Sequence, residues 1–192
     1  MIWFTSDTHF GHDKEFIWRV RGFESCEEMN ETLVANWNER VRKDDDVFHL
    51  GDIMLGSPDN LQYLGRLNGR IHIIYGNHDT NNRIALYNTV SSVIRGEWAE
   101  RQKWYGYHFY LSHFPTITSN LEKENLKQCT INLYGHTHQK TNFYLEYPFM
   151  YHVGVDSHKC APVSIDEIID DICQKERECK SYLDIPNEDF PF

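Results

Sequence analysis

The sequence predicts an α/β fold with a two-layered, mixed β-sheet core flanked by helices. Short β-branched or aromatic runs alternate with stretches whose apolar residues recur at helical spacing, as in β-helix-β units. Two further segments are typical of hairpins, so the sheets are expected to contain both parallel and antiparallel neighbours. Five of the runs lead directly into loops rich in Gly, Asp, Asn and His, which predicts a shared site on the loops at the carboxyl ends of the strands.

Five predicted strands precede these polar loops. They are Ile2–Ser6, Asp46–Leu50, Ile71–Tyr75, His108–Ser112 and Thr130–Tyr134. In the same order, the loops after them contain Asp7-Thr8-His9, Gly51-Asp52, Gly76-Asn77-His78-Asp79, His113 and Gly135-His136-Thr137-His138. Because nearly all the unusual polar residues follow a strand, they are expected to meet at one edge of the core.

The remaining elements are predicted from the spacing of apolar residues. Glu27–Val41 is predicted as a helix, since its apolar residues recur every three or four positions, and Pro58–Leu67 and Ser164–Cys173 show a similar pattern. The two predicted hairpins pair Glu97–Tyr105 with Tyr107–Ser112 around Gly106, and Thr141–Glu146 with Phe149–Val155 around Pro148.

The length of 192 residues is that of one ordinary domain. We expect a single domain over residues 1–179. Residues 180–192 contain two prolines and no apolar periodicity, so they are expected to form a C-terminal tail.

The charge distribution bears on possible partners. The net charge is −10, and residues 166–192 supply nine acids against three bases, which leaves about −4 on the rest of the chain. An acidic surface attracts nucleic acid weakly, so long DNA or RNA is an unlikely partner. Bound divalent cations would reverse the charge locally and allow a phosphate to approach.

The composition also indicates a location. No apolar run is long enough to cross a bilayer, and the segment before Asp7 lacks the basic residues of a signal peptide. The five cysteines are odd in number, widely spaced and without a C-x-x-C pair, which argues against a disulfide framework and a zinc knuckle. These features predict a cytoplasmic protein without a membrane partner.

Seven side chains in the polar loops are candidate metal ligands. Asp7 and His9 lie two residues apart, so in an extended chain both project to the same side, and the pair of His136 and His138 repeats this spacing. The other three are the carboxylate of Asp52, which can bridge two ions, the amide oxygen of Asn77 and the imidazole of His113. Seven mixed oxygen and nitrogen donors are too many for one tetrahedral site but suit two divalent ions.

The five blocks resemble, in order, those of the calcineurin-like metallophosphoesterase superfamily: D-x-H, G-D, G-N-H followed by D or E, a lone H, and G-H-x-H. The resemblance implies a four-layer sandwich and two metal ions. It implies that one ion is held by Asp7, His9, Asp52 and His138, and the other by Asp52, Asn77, His113 and His136. Manganese is the expected metal, and Fe, Zn, Ni or Mg would also suit these donors.

The resemblance also implies a reaction. Two cations roughly 3.5–4 Å apart can clamp a phosphoryl group and lower the pKa of a bridging water, so that a metal-bridging hydroxide attacks phosphorus near neutral pH. His78 corresponds to the family's non-ligating histidine, which implies that it protonates the leaving oxygen or stabilises the transition state. We therefore expect His78 to be the catalytic residue.

One position departs from a branch of the family. In the protein serine/threonine phosphatases an acid three residues after the second-block Asp orients the active-site histidine, whereas this chain has Leu55 there. That branch is therefore disfavoured. Asp79 is a candidate partner for His78, but it is equally well explained as the cap of a following helix.

A further histidine and two arginines lie near the first block. His12 resembles a motif extension of small bacterial and phage members of the superfamily, and we predict that it binds substrate, the alternative being an ordinary surface or packed histidine. Arg19 and Arg21 could contact a phosphate, but they are better explained as solvated side chains.

The resulting hypothesis is a binuclear metal-dependent phosphoesterase that hydrolyses a small phosphodiester or phosphomonoester, with nucleotides among the candidates. The alternatives are a nuclease of the same superfamily and a non-catalytic scaffold such as the retromer subunit that keeps this fold. A nuclease usually adds domains and basic surface, and a scaffold has lost key site residues, whereas this chain retains all seven donors and His78. The oligomeric state stays open.

Overall fold

The computed structural model describes residues 1–118 and 126–178. Its strands are β1 (Ile2–Thr5), β2 (Asp46–His49), β3 (Arg70–Ile74), β4 (Val93–Glu97), β5 (Ala99–Trp104), β6 (Tyr107–Ser112), β7 (Thr130–Tyr134), β8 (Met150–His152) and β9 (Val163–Ser164). Its α-helices are α1 (Glu15–Trp18), α2 (Cys26–Arg40), α3 (Leu61–Leu64), α4 (Asn81–Tyr87) and α5 (Ile165–Glu178).

The strands form two mixed sheets. The first has the order β4-β3-β2-β1-β9, in which β9 alone is antiparallel to its neighbour, and the second has the order β5-β6-β7-β8, in which β5 alone is antiparallel. The predicted α/β class, with two sheets and flanking helices, is therefore confirmed. All five strands that precede the polar loops are interior to their sheets, and their carboxyl ends define one rim.

Alternation along the strands of the first sheet divides the core into two apolar layers. Phe4 and Phe48 point toward the second sheet and stack with ring centroids 5.6 Å apart, whereas their neighbours Trp3 and Val47 point toward the helices. The layer between the sheets also receives Phe109 and the apolar face of α5. Because both faces of β1 and β2 are buried, their register cannot slip without exposing one layer.

Helix α2 covers the outer face of the first sheet. It begins after Ser25, whose hydroxyl accepts a hydrogen bond from the backbone N–H of Glu28, as expected of an N-cap. Its buried side chains include Met29, Leu33 and Trp37, as its periodicity predicts, and the indole of Trp37 donates to the carbonyl of Asn68. This helix fixes the back of the sheet that carries the first three polar loops.

Two predicted elements are wrong in form. The segment Thr141–Glu146 is not a hairpin strand: a 3-10 turn occupies Tyr144–Glu146, and one isolated bridge from Phe143 to Tyr151 is all that remains of the pairing. One edge of β8 pairs with its parallel neighbour β7, and at the other edge the backbone N–H of His152 donates to the carbonyl of Asn142 at 2.7 Å. The predicted helix Pro58–Leu67 is reduced to a 3-10 turn at Pro58–Asn60 and the single turn of α3, which stops at Gly65.

The sequence analysis also did not delimit four short elements, which are α1, α4, most of β4, and β9. Each is seven residues or fewer, too short for a periodic pattern to stand out. The predicted tail at residues 180–192 lies outside the described residues, and the division of the chain at residue 179 stays a prediction.

Replacing Phe109 with Ala is expected to lower the free energy of unfolding by about 3–5 kcal/mol, because its fully buried ring lies between the two sheets. Ile94→Thr is the control, since Ile94 is 52% exposed on β4 and threonine keeps the β-propensity. Urea unfolding followed by circular dichroism measures both. A loss below about 1 kcal/mol for Phe109→Ala would contradict this packing.

Candidate metal centre

The first two polar loops remain paired after their strands have ended. The backbone N–H of Asp7 donates to the carbonyl of Gly51 at 3.0 Å, and that of His9 donates to the carbonyl of Asp52, also at 3.0 Å. Phe10 continues the series to Ile53 at 2.9 Å. Two motifs that are more than forty residues apart in sequence are therefore held in a fixed register beyond the edge of the sheet.

The backbone at the site is left-handed rather than extended. Five of the seven candidate ligands have positive φ angles between 50° and 67°: Asp7, His9, Asp52, His136 and His138. The prediction that the D-x-H and H-x-H pairs share a side because the chain is extended is therefore wrong in its reason. The pairs meet because two left-handed residues flank one that turns away, as Thr8 does toward His49 and the carbonyl of Ile53.

Two glycines of the motifs are required by close approach. A Cβ on Gly76 would lie 2.2 Å from Oδ1 of Asp52, and one on Gly135 would lie 2.5 Å from Oδ2 of Asp7. Any larger residue would push the carboxylate out of place. The first residue of each of these two motifs is thus a glycine because an acidic side chain occupies the position that a Cβ would take.

Both carboxylates are buried, and each has one oxygen held and one directed into the site. Oδ2 of Asp7 accepts from the Ser6 hydroxyl at 2.6 Å and from the backbone N–H of His136 at 2.9 Å. Oδ1 of Asp52 accepts from the backbone N–H of His78 at 2.8 Å. The second oxygens, Oδ1 of Asp7 and Oδ2 of Asp52, each lie 3.8 Å from Nε2 of His9. The backbone therefore fixes both carboxylates with a free oxygen toward the same space.

The remaining nitrogen and amide donors complete two groups around these oxygens. Nε2 of His9 and Nε2 of His138 are 3.2 Å apart, and the latter is 3.8 Å from Oδ1 of Asp7. On the other side, Oδ1 of Asn77 is 2.9 Å from both Nε2 of His113 and Nδ1 of His136. Nε2 of His113 is 3.5 Å from Oδ2 of Asp52. The structure thus brings all seven predicted residues together, and acidic and histidine side chains form two overlapping groups that can hold a metal ion.

The electrostatics of the cluster suit cations. Burial raises the pKa of Asp7 and lowers the pKa of His9, so charge on either side chain is unfavourable without a compensating partner. Oδ1 of Asp7 is buried and has no hydrogen-bond partner within the described chain. Neutral imidazole is the form that binds metals, and a cation would supply the missing partner of the carboxylate.

His78 stands on the open side of the cluster. Its side chain is 44% exposed, its Nε2 lies 3.9 Å from Oδ2 of Asp52, and its ring packs edge-on against that of His9. Its backbone is held at both ends, since its N–H donates to Asp52 and its carbonyl accepts from Arg83. A half-exposed imidazole beside a ligand carboxylate can reach a group bound from solvent.

Asp79 has neither of the roles considered for it. Its buried carboxylate accepts from the backbone N–H groups of Gly76 and Asp52, both at 2.8 Å, and from the hydroxyl of Tyr87. It therefore joins the second and third polar loops instead of capping α4 or binding the ring of His78. Asp79 thus acts as a clamp that holds the two loops together. The sequence motif does not indicate these buried contacts.

The sequence analysis missed an ion pair beneath the site. The guanidinium of Arg21 binds both carboxylate oxygens of Asp156, at 3.0 and 2.9 Å, and donates to the carbonyls of Asp7 and Thr8. Oδ2 of Asp156 also accepts from Nδ1 of His138 at 2.8 Å. Both side chains are nearly inaccessible, at 1% and 4% exposed, so the prediction that Arg21 is solvated is wrong. Arg19 does lie at the surface, paired with Glu15.

The Asp156 carboxylate is kept charged by these partners. Burial by itself raises its pKa, but the hydrogen bonds from His138 and Arg21 more than offset this and hold the pKa well below its ordinary value. A carboxylate bound to Nδ1 leaves Nε2 of His138 free to face the cluster, an arrangement common behind metal-binding histidines. No local sequence signal marks this pair, since its members are 135 residues apart.

His12 lies beside the cluster. Its ring centroid is 5.4 Å from that of His9, and it lines a cavity of about 500 Å³ that also reaches His78 and His138. The predicted substrate-binding residue is therefore next to the cluster, and its role stays a prediction.

Comparison with known proteins gives the family. The model of the calcineurin-like phosphoesterase superfamily domain matches residues 1–154, which is most of the chain. The chain belongs to the calcineurin-like phosphoesterase superfamily. The matched region contains all seven candidate ligands and His78, and it ends just before Asp156.

Several relatives of this calcineurin-like phosphoesterase are known. It is 34% identical over 180 residues to an uncharacterized protein of Methanocaldococcus jannaschii, covering 88% of this chain and 89% of that protein. It is 30% identical over 193 residues to the gene 66 protein of Mycobacterium phage L5, covering 88% and 92%. A solved structure of a protein of unknown function from Aquifex aeolicus shares the fold, with a TM-score of 0.67, 21% identity and coverage of 88% and 98%.

Within residues 1–118 and 126–178, no helix has both the length and the apolar character needed to cross a bilayer.

Replacing Arg21 with Ala is expected to lower the free energy of unfolding by about 3–5 kcal/mol, because it leaves the buried Asp156 carboxylate without its main partner. Urea unfolding in the presence of EDTA measures this without any contribution from bound metal. Arg19→Ala is the matched control and should change stability by less than about 0.5 kcal/mol, since its pair with Glu15 is exposed. Equal effects of the two substitutions would contradict the buried pair.

Proposed function

We propose that this chain is a hydrolase that uses two divalent metal ions to cleave a small phosphodiester or phosphomonoester. Two observations support the proposal: the chain belongs to the calcineurin-like phosphoesterase superfamily, and the seven candidate ligands lie close together at the carboxyl ends of the strands. The observation that carries it is the pair of buried carboxylates, each with one oxygen held by backbone N–H groups and the other turned toward a set of imidazoles. A site built only for stability would not leave Oδ1 of Asp7 buried without a hydrogen-bond partner.

We assign the donors to two positions that share Asp52. One position is formed by Asp7, His9, Asp52 and His138, and the other by Asp52, Asn77, His113 and His136. Fixed tautomers support the assignment: Nδ1 of His113 lies 2.7 Å from the carbonyl of Leu50 and Nδ1 of His138 lies 2.8 Å from Asp156, so Nε2 of each is left for a metal. Mixed oxygen and nitrogen donors suit manganese, our first choice, as well as iron, zinc or nickel.

The chemistry divides between the ions and the chain. When bound, two such ions supply Lewis-acid stabilisation of the phosphoryl oxygens and a hydroxide nucleophile near neutral pH. We assign the protonation of the leaving oxygen to His78, because it lies on the open side of the cluster and its backbone is fixed by Asp52 and Arg83. We assign substrate binding to His12, which lines the adjoining cavity.

The net charge of −10 supports a small substrate over a long nucleic acid. A scaffold without activity is the competing function, and the complete donor set argues against it.

With manganese added, the purified chain is expected to hydrolyse bis-p-nitrophenyl phosphate. His78→Ala should lower kcat by about 10²–10⁴-fold, the contribution typical of a general acid, while the bound metal is unchanged. His108→Ala is the matched control, since His108 lies at the opposite end of β6 from His113. Steady-state release of p-nitrophenolate gives the rates. A chain that holds two ions and cleaves neither monoesters nor diesters would be a scaffold.

Metal stoichiometry tests the assignment of ligands separately. Asn77→Ala should leave one tightly bound manganese per chain, whereas Asp52→Ala should weaken both positions because they share this carboxylate. Equilibrium dialysis followed by elemental analysis counts the ions, and the thermal midpoint should rise with manganese in the wild type. Two ions retained by Asn77→Ala would disprove the assignment, and His108→Ala again serves as the control.

A further inference from the structure

A cavity of about 500 Å³ opens directly beside the candidate metal centre. One side of it is formed by His9, His78 and His138, so any molecule whose phosphate lies at the cluster can extend into this space. Its volume lies in the range of small-molecule sites. The rest of its lining consists of His12, the buried pair of Arg21 with Asp156, and four apolar side chains.

Four of the side chains that line the cavity are apolar. They are Phe16 and Ile17 from α1, Val20 just after it, and Leu55 from the loop after β2. Phe16 and Val20 are 66% and 64% exposed, and both line the cavity beside the polar cluster. Leu55 stands where the serine/threonine phosphatases carry an acid, and here it adds to the apolar surface.

Among the described residues that line the cavity, no lysine or arginine is left unpaired. Arg21 is the one arginine or lysine among the residues described around the cavity, and its guanidinium is already bound to Asp156 and to two backbone carbonyls. The ring of His12 packs edge-on against that of Phe16, with the centroids 5.6 Å apart. Lys140 does not line the cavity, and its ammonium lies 3.6 Å from Oδ1 of Asp156. A second negative charge on a ligand would therefore meet only cations that are already paired with Asp156, whereas a flat uncharged ring would cover Phe16 and Val20.

We propose that this cavity, bounded by Phe16, Ile17, Val20 and Leu55, binds a flat, uncharged ring system carried by one ester group of a singly charged phosphodiester. The inference rests on the proposed function and narrows it from phosphate esters in general to ring-bearing diesters. Since His78 lines the cavity and is the assigned proton donor, the ring belongs to the leaving alcohol.

Two test ligands distinguish the contribution of the ring to binding from that of the charge. Diphenyl phosphate and dimethyl phosphate are both monoanions, so binding of each to the manganese-loaded full-length chain, measured by calorimetry, isolates the effect of the rings. We expect diphenyl phosphate to bind at least about tenfold more tightly, as apolar contacts of this size allow. Equal affinity for the two would overturn the proposal.

Substitution locates the effect. The double variant Phe16→Ala/Val20→Ala should weaken diphenyl phosphate about five- to tenfold and dimethyl phosphate less than twofold. Both side chains are exposed, so the fold should persist, and Ile94→Ala, which removes an exposed apolar side chain elsewhere, should change neither affinity. Equal losses for both phosphates in the double variant would overturn the proposal, as would a matching loss in Ile94→Ala.

The methyl ester of a nucleoside 5′-phosphate distinguishes the source of the ring. Affinity similar to that of diphenyl phosphate would assign the cavity to a nucleobase, and affinity similar to that of dimethyl phosphate would assign it to a non-nucleoside ring. Affinities measured in the manganese-loaded His78→Ala chain, which should hydrolyse these esters about 10²–10⁴-fold more slowly, keep binding apart from turnover, so the two proposals can fail separately. A chain that prefers diphenyl phosphate but hydrolyses no ester retains the cavity and loses the proposed function.

Discussion

Two buried carboxylates set the requirement that the rest of the site must meet. Asp7 and Asp52 are almost completely buried among imidazoles, and burying an uncompensated charge costs several kcal/mol. Each carboxylate is therefore anchored through one oxygen by a backbone N–H group, and the other oxygen faces the imidazole of His9. The neighbouring strand ends, glycines and histidines are arranged around this one need.

Meeting that need strains the backbone. Left-handed φ angles at five candidate ligands are unfavourable by roughly 1–2 kcal/mol for a typical residue, although Asp and His tolerate them better than most. The strain is held by structure on both sides: the loops after β1 and β2 stay hydrogen-bonded to each other, and Asp79 ties the loop after β3 to them. Strained conformations concentrate at sites where the surrounding fold over-determines them.

The same residues serve stability and the site. Arg21 supports the carbonyls of Asp7 and Thr8 while its partner Asp156 orients His138, so the segments that follow α1 and β8 meet under the cluster. The segment that carries Arg21 also brings Phe16 and Val20 to the cavity mouth. A single short stretch after the first motif therefore contributes to folding, to the geometry of the cluster and to the surface that a substrate meets.

The sequence by itself determined the class of fold, the strands before the five polar loops, the long helix α2 and the seven residues that converge, because each of these leaves a local pattern of spacing or motif. The tertiary structure alone decided the left-handed turns at Asp7 and His9, the clamp made by Asp79, the buried pair of Arg21 with Asp156, and the loss of the hairpin before β8. Each of these depends on contacts between residues far apart in the chain. Local periodicity reports which face of a segment is buried, but it cannot report which distant carboxylate or carbonyl lies on the other side.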